Sequence, residues 1–168
     1  SKGLRTLTDS IPTLDDYTAL QIMLKLAKCM SIVASQKIVN LDLKPHNMIM
    51  ATSNQVQIID WGLAEIDYSM EGKSYKSTYK QTLWWRSPEI FADNHYYSYK
   101  ADIFSLGLIY LQMVMNEKWP IVRGSSEYDQ CEGLIEELLY LKNFHDAEDE
   151  IKKLSEGKSV YNRLQPNI

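Results

Sequence analysis

The residues best suited to chemistry lie in two short segments in the first half of the chain. Residues 40–47 read Asn-Leu-Asp-Leu-Lys-Pro-His-Asn, and residues 58–65 read Ile-Ile-Asp-Trp-Gly-Leu-Ala-Glu. Transfer of a phosphoryl group needs a carboxylate that orients the attacking hydroxyl, a cation beside the transferred phosphate, and carboxylate or amide oxygens that hold magnesium. The two segments contain all of these groups, at Asp42, Lys44, Asn47 and Asp60.

The spacing of these groups predicts that they serve one pocket. The first carboxylate and the lysine are two positions apart in a loop that we expect to be extended, so both can face the same side. Two short apolar runs, Met48–Met50 and Val56–Ile59, are separated by polar residues and predict a β-hairpin. Asn47 and Asp60 flank the ends of this hairpin.

The elements that must position these residues are mostly helical, which predicts one mainly α domain over residues 1–168. Thr13 and Asp16 form a capping-box-like start to a helix over residues 17–34. Residues 100–115 are apolar on nearly every face, which is typical of a buried central helix. Further helices are predicted over 127–141 and 147–154. Residues 68–80 are polar and predict a long loop, and the tail after residue 155 is unassigned.

Two further motifs stand downstream of the hairpin. Residues 82–89 read Thr-Leu-Trp-Trp-Arg-Ser-Pro-Glu, and the central helix carries Asp102, Ser105 and Gly107. The four motifs, in this order, resemble the C-terminal lobe of eukaryotic-type Ser/Thr protein kinases over about residues 14–141. Residues 44–47 and 59–65 resemble the casein kinase two catalytic subunit. Residues 82–89 and 124–130 resemble the wider group that holds the cyclin-dependent and mitogen-activated kinases.

This resemblance implies a role in catalysis for five residues. Asp42 would act as the catalytic base or orient the target hydroxyl, and Lys44 would stabilise charge on the phosphoryl oxygens. Asn47 and Asp60 would hold magnesium. Thr82 would support the first two. ATP and Mg²⁺ are therefore the expected cofactors, and the expected activity is transfer of the ATP γ-phosphate to a protein hydroxyl.

By the same resemblance a second set of residues shapes the binding surfaces and the frame. Ile49 and Ile59 would form the apolar floor under the adenine ring. Arg86 would read the residue that follows the target hydroxyl, in either a proline-directed or an acidic context. Asp102 would anchor the backbone of the catalytic loop from below. Glu89 pairs in kinases with an arginine that the sequence does not identify, with Arg163 a weak candidate.

The sequence departs from the kinase pattern at two positions that normally bind a phosphorylated activation loop. The His-Arg pair before the catalytic aspartate is replaced by Asn40 and Leu41, and a position that is often basic holds Glu65. Related kinases are phosphorylated at the places of Ser77 and Tyr79. Leucine has no donor for a phosphate, and a glutamate repels one. We therefore expect activity without phosphorylation of this loop.

The segment before the first predicted helix resembles no part of a kinase N-terminal lobe. It contains no glycine-rich phosphate loop and no strand lysine, and its length of about 13 residues is too short for five strands. We expect that lobe to be absent, ATP to bind weakly, and the isolated chain to be inactive or weakly active. The alternative is a free-standing, pseudokinase-like lobe that binds or mimics a kinase partner without catalysis. The expected partners are a protein substrate or a kinase-type protein.

Composition argues against several other classes of protein. A net charge of −4 provides no basic field for nucleic acid or an anionic membrane, and no stretch approaches the ~18 consecutive apolar residues of a membrane span. Cys29 and Cys131 are far apart and lack the spacing of a zinc site or a disulfide framework. This cysteine usage favours a reducing, intracellular compartment, cytoplasmic or nuclear.

Three tryptophans and one histidine can each be read in two ways. Trp61, Trp84 and Trp85 could stack nucleic-acid bases, and His46 could bind a metal. The chain has no basic field and offers the histidine no further ligand at a suitable spacing. We therefore interpret the tryptophans as packing residues and the histidine as a polar contact.

Overall fold

A computed structural model describes residues 5–52, 55–67, 81–91 and 97–140 of the chain. Five strands and five α-helices occur in this part, together with three short 3-10 turns. The strands are β1 (Arg5–Thr6), β2 (Ile38–Val39), β3 (Met48–Thr52), β4 (Gln55–Ile58) and β5 (Glu65–Ile66). The helices are α1 (Leu7–Ser10), α2 (Asp16–Ser35), α3 (Pro88–Phe91), α4 (Tyr99–Val114) and α5 (Glu127–Tyr140).

The core of the fold is the packing of α2 against α4. Helix α2 buries one residue per turn or so, at Ala19, Ile22, Leu26 and Met30. From the other side α4 contributes Leu106, Ile109 and Met113 to the same cluster. Burial of a side chain such as leucine or isoleucine contributes about 2 kcal/mol, so this interface is a main source of stability. The predicted helices over 17–34 and 100–115 are confirmed within one residue at each end.

The N-terminal cap of α2 differs from the prediction. Asp15, rather than Thr13, accepts hydrogen bonds from the backbone nitrogen (2.7 Å) and the hydroxyl (3.0 Å) of Thr18. The Thr13 hydroxyl instead donates to the carbonyl oxygen of Ser10, at 2.9 Å. A carboxylate at this position accepts two donors at once and also favours the positive end of the helix dipole.

Helix α4 lies at the centre of the described residues but is not buried on every side. Ala101, Asp102, Ser105 and Gln112 are buried together with the apolar residues that face α2. Ile103 and Val114 are nearly half exposed. The prediction of a fully buried helix was therefore wrong for one face, because an apolar composition does not show which face a neighbour covers.

Two small antiparallel sheets complete the fold. The predicted hairpin is confirmed as β3 and β4, with Met48 opposite Ile58, and β1 extends it by pairing Thr6 with Ile49. The second sheet pairs Ile38 of β2 with Ile66 of β5. Strands of two residues have no alternating pattern, so β1, β2 and β5 were not predicted. The resulting architecture is mainly α with a small hairpin, as expected.

Helix α2 has the length and hydropathy of a membrane-spanning helix, with 20 residues and a mean hydropathy of 1.3. In this fold its inward face is part of the core, where Ile22 and Leu26 are fully buried. High hydropathy arises because outward positions such as Leu24 are apolar as well. Helix α2 thus packs one face into the core and leaves the other exposed, with 22% of its most apolar stretch buried.

Some sequence predictions lie outside the described residues. These are the loop over 68–80, the helix over 147–154 and the tail after residue 155. The helix predicted over 127–141 is present as α5 and is described as far as Tyr140.

Gly124 provides a test of how α5 is held against the chain before it. A Cβ atom at this position would lie 2.1 Å from the backbone nitrogen of Gln130, so Gly124→Ala forces the backbone to move. The shift would also disturb the hydrogen bond from Gly124 to the Gln130 side chain (2.7 Å). We expect a loss of about 2 kcal/mol in the free energy of unfolding, measured by urea denaturation.

Gly107→Ala is the matched control, because a Cβ at Gly107 meets no atom within 4 Å. Alanine has the higher helix propensity, so this variant should keep or gain stability by up to about 1 kcal/mol. Equal losses in the two variants would contradict the close approach at Gly124.

Candidate active site

The carboxylate of Asp42 is the point at which the predicted catalytic residues meet. It accepts hydrogen bonds from Lys44 Nζ (2.8 Å), Asn47 Nδ2 (2.8 Å) and Thr82 Oγ1 (2.6 Å). Lys44 also reaches Thr82, with its Nζ 2.8 Å from the hydroxyl oxygen. Asp42 is only 8% exposed. Four of the residues singled out from the sequence therefore form one connected group, although Thr82 is 40 positions away in the chain.

Asn40 bridges the loop of Asp42 to the backbone of Asp60, whereas in the sequence it stood out only as a departure from the kinase pattern. Its side chain accepts a hydrogen bond from the backbone nitrogen of Asp42 (3.0 Å) and donates one to the carbonyl oxygen of Asp60 (2.9 Å). Asparagine carries a donor and an acceptor on one side chain, so it can bridge two loops. Its position two residues before the aspartate was the available signal, but nothing in the sequence indicates the contact with Asp60.

Asp102 lies beneath this loop and accepts two backbone hydrogen bonds from it. Its two carboxylate oxygens accept hydrogen bonds from the backbone nitrogens of Asn40 (2.7 Å) and Leu41 (2.9 Å). Burial raises the pKa of Asp102 to about 6, and the two hydrogen bonds oppose this rise. Leu41 has a φ of 62°, which is uncommon for a residue other than glycine. The two hydrogen bonds that Asp102 accepts from the backbone of Asn40 and Leu41 stabilise this conformation.

The two predicted magnesium ligands lie at the same end of the hairpin. The carbonyl oxygen of Asn47 accepts a hydrogen bond from the nitrogen of Ile59 (3.0 Å), the residue before Asp60. Since the amide nitrogen of Asn47 is used by Asp42, the amide oxygen is left for a cation. Asp60 is exposed, and one of its oxygens accepts from the nitrogen of Gly62 at 2.9 Å.

This donor set fits magnesium better than a transition metal. In the described part of the chain no three His, Cys, Asp or Glu side chains are grouped closely enough to hold a metal by themselves. Magnesium in nucleotide sites takes one or two protein carboxylates and completes its shell with water and phosphate oxygens. Asn47 and Asp60 would therefore hold the ion jointly with a bound phosphate.

The proposed adenine floor is open to solvent on the side of Asp60. Ile59 is 47% exposed, whereas Ile49 in β3 is half-buried. Trp61, Leu63 and Ile66 are also between 38% and 50% exposed. Trp61 is thus less packed than we predicted. An apolar group of this size beside the candidate metal residues marks a surface that another element or a ligand would cover.

Arg86 is buried and already paired. Its guanidinium forms an ion pair with Glu127 and donates to the carbonyl oxygen of Gln81 at 3.0 Å. It also lies 5.2 Å from the ring centre of Phe91. The backbone of Gln81 has a φ of 75°. Its side-chain oxygen accepts a hydrogen bond from the backbone nitrogen of Ser87, at 2.9 Å. The structure therefore does not place Arg86 at the surface, where direct contact with a substrate would occur.

Trp84, Trp85 and Glu89, in the segment around Arg86, contact other parts of the described protein. The Trp84 indole donates to the carbonyl oxygen of Gly124 at 3.0 Å, which joins the segment to α5. Trp85 is buried and has an edge contact with His46, with ring centres 6.1 Å apart. Burial raises the pKa of Glu89, and the charge of Lys100 opposes the rise. The candidate partner of Glu89 at position 163 lies outside the described residues.

Comparison with known proteins identifies the family of this chain. Residues 2–162 match the family model of the protein kinase domain, so the chain belongs to the protein kinase family. The structure also resembles a chain of the yeast RNA Pol II CTD kinase CTDK-1 complex, with a TM-score of 0.69 and 23% sequence identity. The match covers 77% of this chain and 42% of that chain, and at this identity the likeness shows the fold alone.

Asp102 should make the stability of the protein depend on pH. Its folded pKa of about 6 exceeds the unfolded value of about 3.9, so its contribution is fully present below about pH 3.9 and is lost as the pH rises through 6. A shift of this size corresponds to roughly 3 kcal/mol. We expect the stability advantage of the native chain over Asp102→Asn to fall by that order between pH 4 and pH 7, measured by urea denaturation.

Asp129→Asn is the control for this experiment. Hydrogen bonds from Ser125 and Ser126 lower the pKa of Asp129, so this group stays ionised over most of the range. Its contribution is present above the unfolded pKa and is lost only at lower pH. The difference between Asp129→Asn and the native chain should stay flat from pH 5 to 7. A flat curve for Asp102→Asn as well would contradict the shifted pKa.

Proposed function

We propose that this chain is the catalytic lobe of a Ser/Thr protein kinase that transfers the γ-phosphate of ATP to protein hydroxyls. The observation that carries this proposal is the Asp42 carboxylate, held at once by Lys44, Asn47 and Thr82. A merely structural aspartate has no need of a lysine, an amide and a hydroxyl from two distant segments. The casein kinase two likeness of the motifs is part of the proposal.

In the proposed reaction Asp42 orients the substrate hydroxyl and accepts its proton as the oxygen bonds to the γ-phosphorus of ATP. The bond from that phosphorus to the bridging oxygen breaks, and ADP leaves. Lys44 lies beside Asp42 and stabilises negative charge on the transferred phosphoryl oxygens. Thr82 keeps the lysine and the aspartate in register through its hydroxyl. Magnesium, when bound, neutralises charge on the phosphates, and Asn47 and Asp60 are the residues that would hold it.

We also propose that a second lobe completes the ATP site, either from the same protein or from a partner. The apolar side chains of Ile59, Trp61 and Leu63 support this proposal. They lie beside Asp60 and are exposed to solvent in the described part of the chain. Most of the catalysis in phosphoryl transfer comes from positioning. The lobe described here should therefore bind ATP weakly when no second lobe covers it.

Activity without phosphorylation of the activation segment is supported by what fills the neighbourhood of Leu41. Its side chain is fully buried in an apolar cluster, which consists of Val39, Leu41, Ile90, Tyr97 and Ala101. Glu65 accepts a hydrogen bond from the Tyr97 hydroxyl. An apolar cluster and a carboxylate offer no binding energy to a phosphate.

A proline context for the substrate is favoured over an acidic one by the surroundings of Arg86. Arg86 is 6% exposed and its charge is compensated by Glu127, so it cannot attract an acidic residue at the surface. The left-handed backbone of Gln81 turns its carbonyl oxygen inward to Arg86. A carbonyl turned inward accepts no hydrogen bond from a substrate backbone, and proline, which lacks the N–H, loses nothing there.

Substitution of the two key carboxylates tests the catalytic proposal. We expect Asp42→Asn to lower phosphate transfer from ATP with Mg²⁺ to a Ser/Thr peptide library by about 10³-fold, the usual range for a lost general base. Asp60→Asn should also abolish the rise in melting temperature caused by ADP with Mg²⁺. Asp16→Asn, an exposed change on α2, is the control and should alter neither.

The same measurements distinguish the second candidate function, a lobe that binds a kinase-type partner without catalysis. That function predicts no stabilisation of the native protein by ADP with Mg²⁺ and a partner complex that survives Asp42→Asn. The longest natural form of the protein should be used, so that any second lobe in the same chain is present. Phosphate transfer that survives Asp42→Asn would overturn the catalytic role proposed for Asp42.

Peptide libraries test the substrate context. We expect at least about tenfold higher kcat/KM for peptides with proline after the target Ser or Thr than for peptides with glutamate there. Peptides with alanine at that position are the reference and should lie between the two. A preference for glutamate would contradict the reading of Arg86.

A further inference from the structure

Tyr97 stands just before α4 and belongs to none of the motifs that indicate catalysis. Its side chain is 4% exposed and packs in the apolar cluster around Leu41. The hydroxyl at the end of the ring donates a hydrogen bond to the carboxylate of Glu65. A buried tyrosine hydroxyl usually has a partner. This partner is significant because it lies on the segment that follows the candidate metal residue Asp60.

The segment that contains Glu65 is attached at further points to the catalytic loop and to α4. In the second sheet Glu65 pairs with Val39, which is the residue directly before Asn40. The backbone nitrogen of Asp67 donates to the carbonyl oxygen of Lys37 at 2.6 Å. Its carboxylate accepts from the backbone nitrogen of Tyr99 at 3.1 Å. The chain after residues 60–64, the metal loop, is thus joined both to the segment before the catalytic loop and to the start of α4.

Only a short turn separates these attachments from Asp60. The nitrogen of Ala64 donates to the carbonyl oxygen of Trp61 at 3.1 Å, and the nitrogen of Gly62 donates to the Asp60 carboxylate at 2.9 Å. A turn of this kind is too short to absorb a displacement of Glu65, so a movement there reaches the Asp60 carboxylate.

We propose that Tyr97 is a positioning residue for the metal loop, which acts through Glu65 to hold the Asp60 carboxylate in place. The hydrogen bond to a half-buried carboxylate is of the stronger, charge-assisted kind. It provides a permanent attachment for the start of the activation segment, and no phosphate is needed to form it. The inference rests on the proposed function, because it concerns the residue that would hold magnesium.

Amide hydrogen exchange on the native chain, Tyr97→Phe and Tyr99→Phe tests this role. Phenylalanine at 97 keeps the ring in the apolar cluster and removes only the hydroxyl. We expect exchange at the amides of Gly62, Ala64 and Asp67 to become about tenfold faster, the effect of losing one hydrogen bond to a charged group. Amides in the core, such as that of Ile109, should not change. Tyr99→Phe makes the same chemical change two residues away and keeps the backbone contact with Asp67, so it should have no effect.

A double-variant cycle identifies the path. If Tyr97 acts through Glu65, Tyr97→Phe in a Glu65→Ala background should add no further increase in exchange at these amides. Unchanged exchange in Tyr97→Phe, or an equal increase throughout α2 and α4, would overturn the proposal, as would full additivity in the cycle.

A nucleotide measurement separates this inference from the proposed function. In the longest natural form of the protein, which includes any second lobe of the same chain, ADP with Mg²⁺ should raise the melting temperature, and Tyr97→Phe should reduce that rise more than Tyr99→Phe does. No rise in the native chain would count against the kinase function itself, while the exchange experiment would still decide whether Tyr97 positions the loop. A native rise that Tyr97→Phe leaves intact would overturn the inference alone.

Discussion

The rest of the structure depends on one carboxylate, that of Asp102. It accepts hydrogen bonds from the backbone nitrogens of Asn40 and Leu41. A buried carboxylate is costly unless its oxygens are satisfied, and two buried N–H groups are costly without acceptors. The hydrogen bonds between them therefore offset part of the cost of burying the carboxylate and the cost of burying the two N–H groups. Because Asp102 belongs to the core helix α4, this exchange fixes the catalytic loop to the most stable part of the fold. The left-handed conformation of Leu41 is maintained by the same contacts.

From this anchor the geometry of the site extends outward in short steps. Asn40 passes the constraint to Asp42 and to the backbone of Asp60 with a single amide group. The Asp42 carboxylate in turn accepts hydrogen bonds from Lys44 and Thr82. Each step replaces solvent by a fixed protein dipole or charge, and groups fixed in advance cost no reorganisation at the moment of reaction. The protein kinase family membership and this chain of contacts point to the same use.

Much of the fold could be predicted from periodicity and motif spacing, because those signals are local. The helix over 17–34 has an apolar pattern of period 3.6, the helix over 100–115 a nearly continuous apolar run, and the hairpin two short apolar runs. The side chains around Asp42 belong to short sequence motifs. The parts that were missed depend on partners far away in the chain. The contact of Tyr97 with Glu65 spans 32 positions, and the strands that frame it have two residues each. The ion pair between Arg86 and Glu127, 41 positions apart, likewise could not be predicted from the sequence.

The separation of 62 positions between Asn40 and Asp102 also has a consequence for biosynthesis. A ribosome that adds roughly 5–20 residues per second reaches Asp102 roughly 3–12 s after it has made the catalytic loop. During that interval the backbone N–H groups of Asn40 and Leu41 lack the carboxylate that accepts their hydrogen bonds, and no α4 covers the inner face of α2. The segment that carries the chemistry therefore cannot take its anchored conformation until α4 has been made, and in the meantime the exposed face of α2 is a surface that a chaperone could bind.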